Sequence, residues 1–363
     1  MKLFLCGDVM TGRGIDQILG RPCDPEIHEP YMQNALDYVR IAEQASGPIP
    51  RAAPPAYVWG EALGELERVA PAARIVNLET AVTTSGDWQP KGINYRMSPA
   101  NVGCLAAARI DCCVLANNHV LDWGDAGLAE TVSTLKEAGF ATAGAGLNPE
   151  EAGKPAVLKL QESRLLVFSY AAGTSGVPRS WAAKAGRPGV AFLEDLGDRT
   201  LASIGEAIGA ERRPGDIAIV SIHWGPNWGY EVSSAERHFA RELVSHAGAA
   251  LVHGHSSHHP KGIEVHDGKL ILYGCGDLIN DYEGIGGHAA FRGDLGMMYF
   301  PDLSPGSGRL AGLEMVATRI RRFSLQRAPA EDARWLAAML EREGRGYGSG
   351  ATVRPDGRIE LVF

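Results

Sequence analysis

The chain has 363 residues, 45% of them hydrophobic and 21% charged, with a formal net charge of −8. That balance describes an ordinary soluble globular protein with enough chain for a full core, as one large α/β domain or one domain with an appendage. The negative balance excludes a global basic field for nucleic acid or anionic lipid, and no run approaches the ~18 apolar residues of a membrane-spanning helix.

The first strand is expected at Leu3–Leu5, ending abruptly at Cys6-Gly7-Asp8. Residues 11–30 read as a loop or short helix carrying Arg13. Helical spacing follows over Tyr31–Ala45 and Tyr57–Val69, separated by a Pro-rich connection at 47–55. A strand from Arg74 ends at Asn77-Leu78-Glu79, and residues 83–99 read as a long irregular loop holding Trp88, Lys91, Tyr95 and Arg96. The apolar run up to Leu115 ends in Ala116-Asn117-Asn118-His119 and precedes an amphipathic helix over Asp125–Ala138.

A short strand at 140–144 and an antiparallel pair turning at Glu162-Ser163 come next, then a Gly/Pro/Ser-rich loop at 173–190. A helix around Leu201–Ile208 leads into the strand Ile217–His223, and Ser233 with Glu236 forms a capping-box signature for a helix to about His246. Leu251-Val252 runs into His253-Gly254-His255-Ser256-Ser257-His258, and a hairpin turns at Asp267-Gly268. Strands at 297–300 and 313–320, a helix over Ala330–Glu343 and a hairpin turn at Pro355-Asp356-Gly357 complete the chain. The expected organisation is one α/β domain over 1–325, two packed sheets with helices outside, with 326–363 as a helix and hairpin on the same domain.

The recurring theme is an apolar strand that ends in a polar, metal-capable side chain. Buried parallel strands read as continuous apolar runs, and ligands in α/β sheets gather at their carboxyl ends. Asp8, Glu79, Asn118, His223, His255 and His258 all fall at such ends or just beyond. Carboxylate, amide and imidazole donors together suit a divalent cation, Mn, Zn, Fe, Mg or Ca. Each position alone has a plain alternative, since a lone Asp also caps helices and a lone His also packs in cores. Five such elements in chain order, with four histidines between 253 and 259, favour a shared site. There is no Gly-x-x-x-x-Gly-Lys loop, no Gly-x-Ser-x-Gly elbow and no dinucleotide fingerprint.

This order resembles the calcineurin-like metallophosphoesterase superfamily, and within it the branch named after the poly-gamma-glutamate capsule protein CapA. The matching residues are Gly7-Asp8-Val9-Met10, Asn77-Leu78-Glu79-Thr80, Ala116-Asn117-Asn118-His119 with Asp122 and Gly124, His223-Trp224-Gly225, and Gly254-His255 with His258. The resemblance implies a two-sheet β-sandwich flanked by helices, with one or two metals per chain at its carboxyl edge. Asp8 would bind the first metal and Glu79 would bridge. Asn118, His223 and His255 would hold the second, His258 would return to the first, and His119 would be the acid/base. Met10 stands where these phosphoesterases carry a ligating histidine, and Glu79 replaces the usual bridging Asp. Both departures weaken the symmetric clamp that phosphoester cleavage uses.

Trp88, Trp224, Trp228 and Tyr230 are candidate pocket walls, and Lys91 and Arg96 candidate carboxylate binders, for a peptide or poly-amide substrate. Two chemistries fit. Metal-activated water hydrolyses an amide or ester with His119 protonating the leaving group, or the α-carbon of a peptide residue is epimerised, as in the lasso-peptide epimerase, a member of the same branch that this chain resembles. His119 or Asp277 facing His223 or His255 would form the acid/base pair. A capsule-polymer hydrolase, a phosphoesterase and a non-catalytic module binding anionic polymer are the alternatives. Six cysteines without CxxC spacing predict free thiols, and an N-terminus entering a strand directly predicts a cytoplasmic protein.

Overall fold

In the computed structural model, which describes residues 1–161 and 163–363, two main sheets stack face to face. The expected turn at Glu162-Ser163 falls on Glu162, outside the described residues; its flanking strands, Ala156–Lys159 and Arg164–Ala172, pair antiparallel. The larger sheet has ten strands. Its parallel part consists of Ala141–Ala143, Cys112–Val114, Arg74–Leu78, Phe4–Val9 and Asp277–Ile279. It continues antiparallel through Leu295–Leu303, Leu310–Arg321, Ile359–Val362 and Gly350–Val353. The second sheet has seven strands and a parallel centre of Arg164–Ala172, Ile217–His223, Leu251–His255 and Lys269–Leu272.

Alternation along each strand sorts the core into layers. Leu3, Leu5, Ile75, Cys112 and Val114 point inward and meet Leu165, Val167, Ile219, Leu251 and Leu270 of the other sheet. Their neighbours Phe4, Cys6, Val76 and Cys113 point outward to helices Leu36–Ser46, Ala62–Val69 and Gly124–Glu137. On the other flank, Phe168, Val220 and Val252 face helices Asp198–Glu211 and Ser234–Ser245. The adjacent pair Cys112-Cys113 therefore lies in two different layers, and all six cysteines are free thiols. Truncating a fully buried member such as Ile219 to Ala costs about 2–5 kcal/mol.

Several sequence expectations shift by a turn or more. The helix expected from Tyr31 begins at Leu36, whose N–H is held by the Asn34 side chain at 2.9 Å. The helix expected over Tyr57–Val69 splits at Gly60 (φ 42°), where a Cβ would sit 2.2 Å from the Leu325 carbonyl, so only a glycine lets the chain pass. The C-terminal helix Ala330–Gly344 inserts Ala333, Leu336 and Leu340 into the inter-sheet core instead of lying outside it. The Ser233/Glu236 capping box is present with both bonds made, at 3.1 and 2.9 Å.

Candidate metal centre

The two parallel sheets bring their carboxyl ends to one place. Asp8 stands in register with Asn77 on one side and Asp277 on the other, and His223 stands opposite His255 in the second sheet. The register slips by one residue between Cys6 and Asp8. Gly7 makes the arrangement possible, because a Cβ there would lie 1.9 Å from the Gly276 carbonyl and push the Asp277 strand away.

Every anchor in this centre is buried except Asn118, which is half-buried. Asn77 donates to Asp8 Oδ1 at 2.8 Å and to Glu79 Oε2 at 3.0 Å, and Asn117 holds Asn77 Oδ1 from behind at 3.0 Å. His223 Nε2 lies 3.0 Å from Asn118 Oδ1 and 4.0 Å from Glu79 Oε1. The tautomer of His255 follows from proton accounting. The Cys6 carbonyl only accepts, so neutral His253 donates to it through Nε2 (2.8 Å) and accepts at Nδ1 from the Ser221 hydroxyl (3.1 Å). Ser221 Oγ in turn accepts from His255 Nε2 at 2.9 Å, leaving the lone pair on His255 Nδ1 to face the centre, 2.8 Å from His223 Nδ1.

His119 forms a separate dyad at the rim. Its Nδ1 is 2.6 Å from Asp122 Oδ2, Lys91 Nζ donates to Asp122 Oδ1 at 2.7 Å, and the ring sits edge-on to Tyr95. Its Nε2 faces Glu79 Oε1 at 3.9 Å. Burial lowers the imidazolium of His119 to about 4, with the Asp122 carboxylate opposing.

The donor set fits a divalent cation. Among the described residues two groups, Asp8–His223–His255 and Asp8–His258–Asp277, each bring three ligand atoms within 4.8 Å of one another. Among the described residues, Asp8 Oδ2 is buried without any hydrogen-bond partner. Burial, with Asp277 adding to it, raises Asp8 to about 7; burial and then Asp8 raise Glu79 well above the usual carboxylate range. Burial holds His223 and His255 well below their usual value, which is the neutral, ligating form of imidazole. An arrangement that disfavours its own anions and keeps its imidazoles neutral is one a cation relieves.

The model of the family described as bacterial capsule synthesis protein PGA_cap matches residues 2–282. The chain belongs to this family. It is 47% identical over 365 residues to a probable polyglutamine synthesis accessory protein of Mycobacterium tuberculosis, covering 100% of this chain and 96% of that one. It is 27% identical over 207 residues to the PGA biosynthesis protein CapA of Bacillus subtilis (56% of this chain, 52% of the relative). For the capsule biosynthesis protein CapA of Bacillus anthracis the identity is 23% over 284 residues, with 77% and 60% covered. Among solved structures, a phosphatase from Mycoplasma pneumoniae described as novel is similar at a TM-score of 0.47 and 12% identity, covering 93% of this chain and 96% of that one.

In this PGA_cap family member the candidate residues divide. Asp8, Glu79, Asn118, His119, His223, His255, His258 and Asp277 converge. Asp277 does not face His223 or His255 as an acid/base partner; its Oδ1 is 2.9 Å from His258 Nδ1 and its Oδ2 accepts from Asn280 at 2.9 Å. Trp224 is no pocket wall. It is 3% exposed, donates to the Tyr273 carbonyl at 2.9 Å and packs in the layer under the helices, because the residue after an inward His223 points to the opposite face. Arg96 is spent on the carbonyls of Ser85 and Asp24 with its guanidinium over Trp123, and Trp88 stacks on His28. Lys91 does belong, as the cation on the Asp122–His119 dyad.

Trp228 lines a cavity of about 1000 Å³ that reaches the centre at His258 and Asn280, and Tyr230 packs behind it on His259 and Phe291. Arg13 is buried against Asp281 and Glu29. Sequence reasoning missed Asn77 and Asn117 as orienting amides, and the Ser221–His253 relay. No helix among the described residues is long and apolar enough to cross a membrane.

Proposed function

We propose that the protein is a metal-dependent hydrolase of amide bonds in an anionic, glutamyl-type polymer. The observation that carries this reading is the Asp122–His119 dyad beside the buried Asp/His cluster, at the end of a large cavity walled partly by arginine. Asp8, Glu79, Asn118, His223, His255 and His258 would hold the metal. A cation bound there supplies Lewis acidity toward a carbonyl oxygen and makes water more acidic.

The remaining work falls to the chain. His119, its Nδ1 proton fixed by Asp122, accepts a proton at Nε2 from the attacking water and passes it to the leaving amine. Arg319 and Arg321 line the cavity, and Arg319 makes no ion pair among the described residues while its Nε is buried without a partner. A planar guanidinium in that position suits the carboxylates of an acidic chain. The names of the relatives, polyglutamine synthesis and PGA biosynthesis, support a polymer of glutamine- or glutamate-type residues as substrate.

Epimerisation asks for two free proton carriers on opposite faces of one carbon. Here His255 Nε2 is tied to Ser221, and Asp277 to His258 and Asn280, so of these candidates, among the described residues, the His119 dyad alone faces the centre with a proton carrier. That supports hydrolysis.

The test incubates metal-loaded protein with poly-gamma-glutamate of defined length in deuterated water, following new amine termini, chain length and α-deuterium. Metal-dependent shortening is expected, with His119→Ala slowing it roughly 10²–10⁴-fold while metal content is retained. Deuterium at the α-carbon without cleavage would replace hydrolysis by epimerisation. Binding without either change would leave a non-catalytic module.

A further inference from the structure

The centre contains two ligand groups of different chemistry, and they share one carboxylate. Asp8–His223–His255 is rich in nitrogen. Asp8–His258–Asp277 is rich in oxygen, with two carboxylates to one imidazole. Asp277 reaches the second group because its three-residue strand pairs directly with the first strand, in register with Asp8. Both carboxylates are almost wholly buried, and the one oxygen without any hydrogen-bond partner, Asp8 Oδ2, belongs to the residue that the groups share. A buried polar oxygen normally finds a partner, so this atom is available to a ligand.

We propose that Asp277 is a metal ligand, completing with Asp8 and His258 an oxygen-rich half-site for a hard cation such as Mg²⁺, Mn²⁺ or Ca²⁺, beside a nitrogen-rich half-site suited to a borderline cation such as Zn²⁺ or Fe²⁺. The inference rests on the reading of this cluster as a metal centre. It assigns Asp277 a role different from acid/base catalysis, and it divides the centre by donor chemistry. Asn280, which donates to Asp277 Oδ2, becomes the residue that orients this ligand, and the other oxygen stays on the His258 side.

The experiment strips the full-length protein, reloads it with Mn²⁺ or with Zn²⁺ plus Mg²⁺, and measures bound metal by mass spectrometry after desalting. The spin coupling of the Mn²⁺ pair is read by electron paramagnetic resonance. The wild type is expected to hold two cations with a coupled signal. Asp277→Asn, nearly isosteric, is expected to keep one cation, lose the coupled signal and bind the second at least about 100-fold more weakly, beyond the usual loss for an outer orienting group.

Asp277→His keeps a donor at the position and is expected to retain two sites while moving the second from Mg²⁺ toward Zn²⁺. A purely orienting Asp277 would show no change of metal preference. Melting curves of the stripped variants separate misfolding from loss of metal. If the wild type binds two cations and Asp277→Asn binds both with unchanged affinity and coupling, this assignment is overturned while the metal centre stands. If the wild type binds no cation at all, the metal centre falls and this inference with it.

Discussion

The two sheets contribute to the same centre in different chemical currencies. The ten-stranded sheet supplies oxygen donors, namely Asp8 near the end of its strand, Glu79 and Asn118 beyond strand ends, and Asp277 at the start of its short strand. The seven-stranded sheet ends its strands in imidazoles, His223 and His255, with His258 in the loop that follows. The support differs as well. Oxygen donors are steered by side-chain amides, Asn77, Asn117 and Asn280, whereas His255 is steered by a hydroxyl–imidazole relay ending on a carbonyl of the other sheet. The centre is therefore a property of the docked pair of sheets, and neither sheet carries a complete donor set.

The sharpest way to break this division is at the carboxylate both ligand groups share. Asp8→Asn should lower turnover of the glutamyl substrate by roughly a thousandfold, about 4 kcal/mol of transition-state stabilisation, and lower metal content in both halves. Metal analysis beside steady-state kinetics checks it. Gly7→Ala strikes the oxygen sheet through its backbone. The new methyl meets the Gly276 carbonyl, so a loss of about 1–3 kcal/mol in stability is expected by denaturant titration, with metal binding reduced in parallel.

Ser221→Ala addresses the imidazole sheet alone. It removes the hydroxyl that fixes the tautomer of His255, so Zn²⁺ affinity should fall about 10–100-fold while Mg²⁺ affinity holds.

The mildest test contrasts two buried carboxylates. Asp8 has no cationic side chain bonded to it and burial raises its pKa, whereas Glu264 is bonded by Arg241 at 2.9 Å and by Tyr273 at 2.6 Å. Burial raises Glu264, but those bonds outweigh it and the net shift is downward. A depressed carboxylate stabilises the fold above the unfolded value of about 4.3 and loses that contribution as the pH falls through the folded value. Glu264→Gln should thus cost about 1 kcal/mol at pH 7 and nothing measurable in strong acid, by thermal melts across pH.

The strand ends were readable because buried parallel strands are long apolar runs, and a polar residue closing one is conspicuous. The same logic failed one residue later. Trp224 follows His223, and adjacency in sequence suggested a shared pocket, yet a strand turns successive side chains to opposite faces. Ser221 and His253 were hidden for a related reason: they sit inside strands buried on both faces, where no alternation of polarity marks an inward hydroxyl. Asp277 was legible as an acid/base candidate, but its place opposite Asp8 was not, since only the pairing of its short strand with the first one sets it there. Arg96 and Trp88 lay in a loop correctly read as long, but their partners, Trp123 and His28, come from elsewhere in the chain.

Asp8 and Asp277 also stand far apart in the 363-residue polypeptide, and their strands are neighbours in the finished sheet. A growing chain displays Asp8 almost at once and waits for about three quarters of the sequence before its opposite number emerges. Closing so long a loop is among the slowest contacts a fold can make. Cation uptake at the oxygen-rich half would thus mark the completion of the topology, and the timing of that uptake during refolding would serve as a clock for the last parallel strand to enter the sheet.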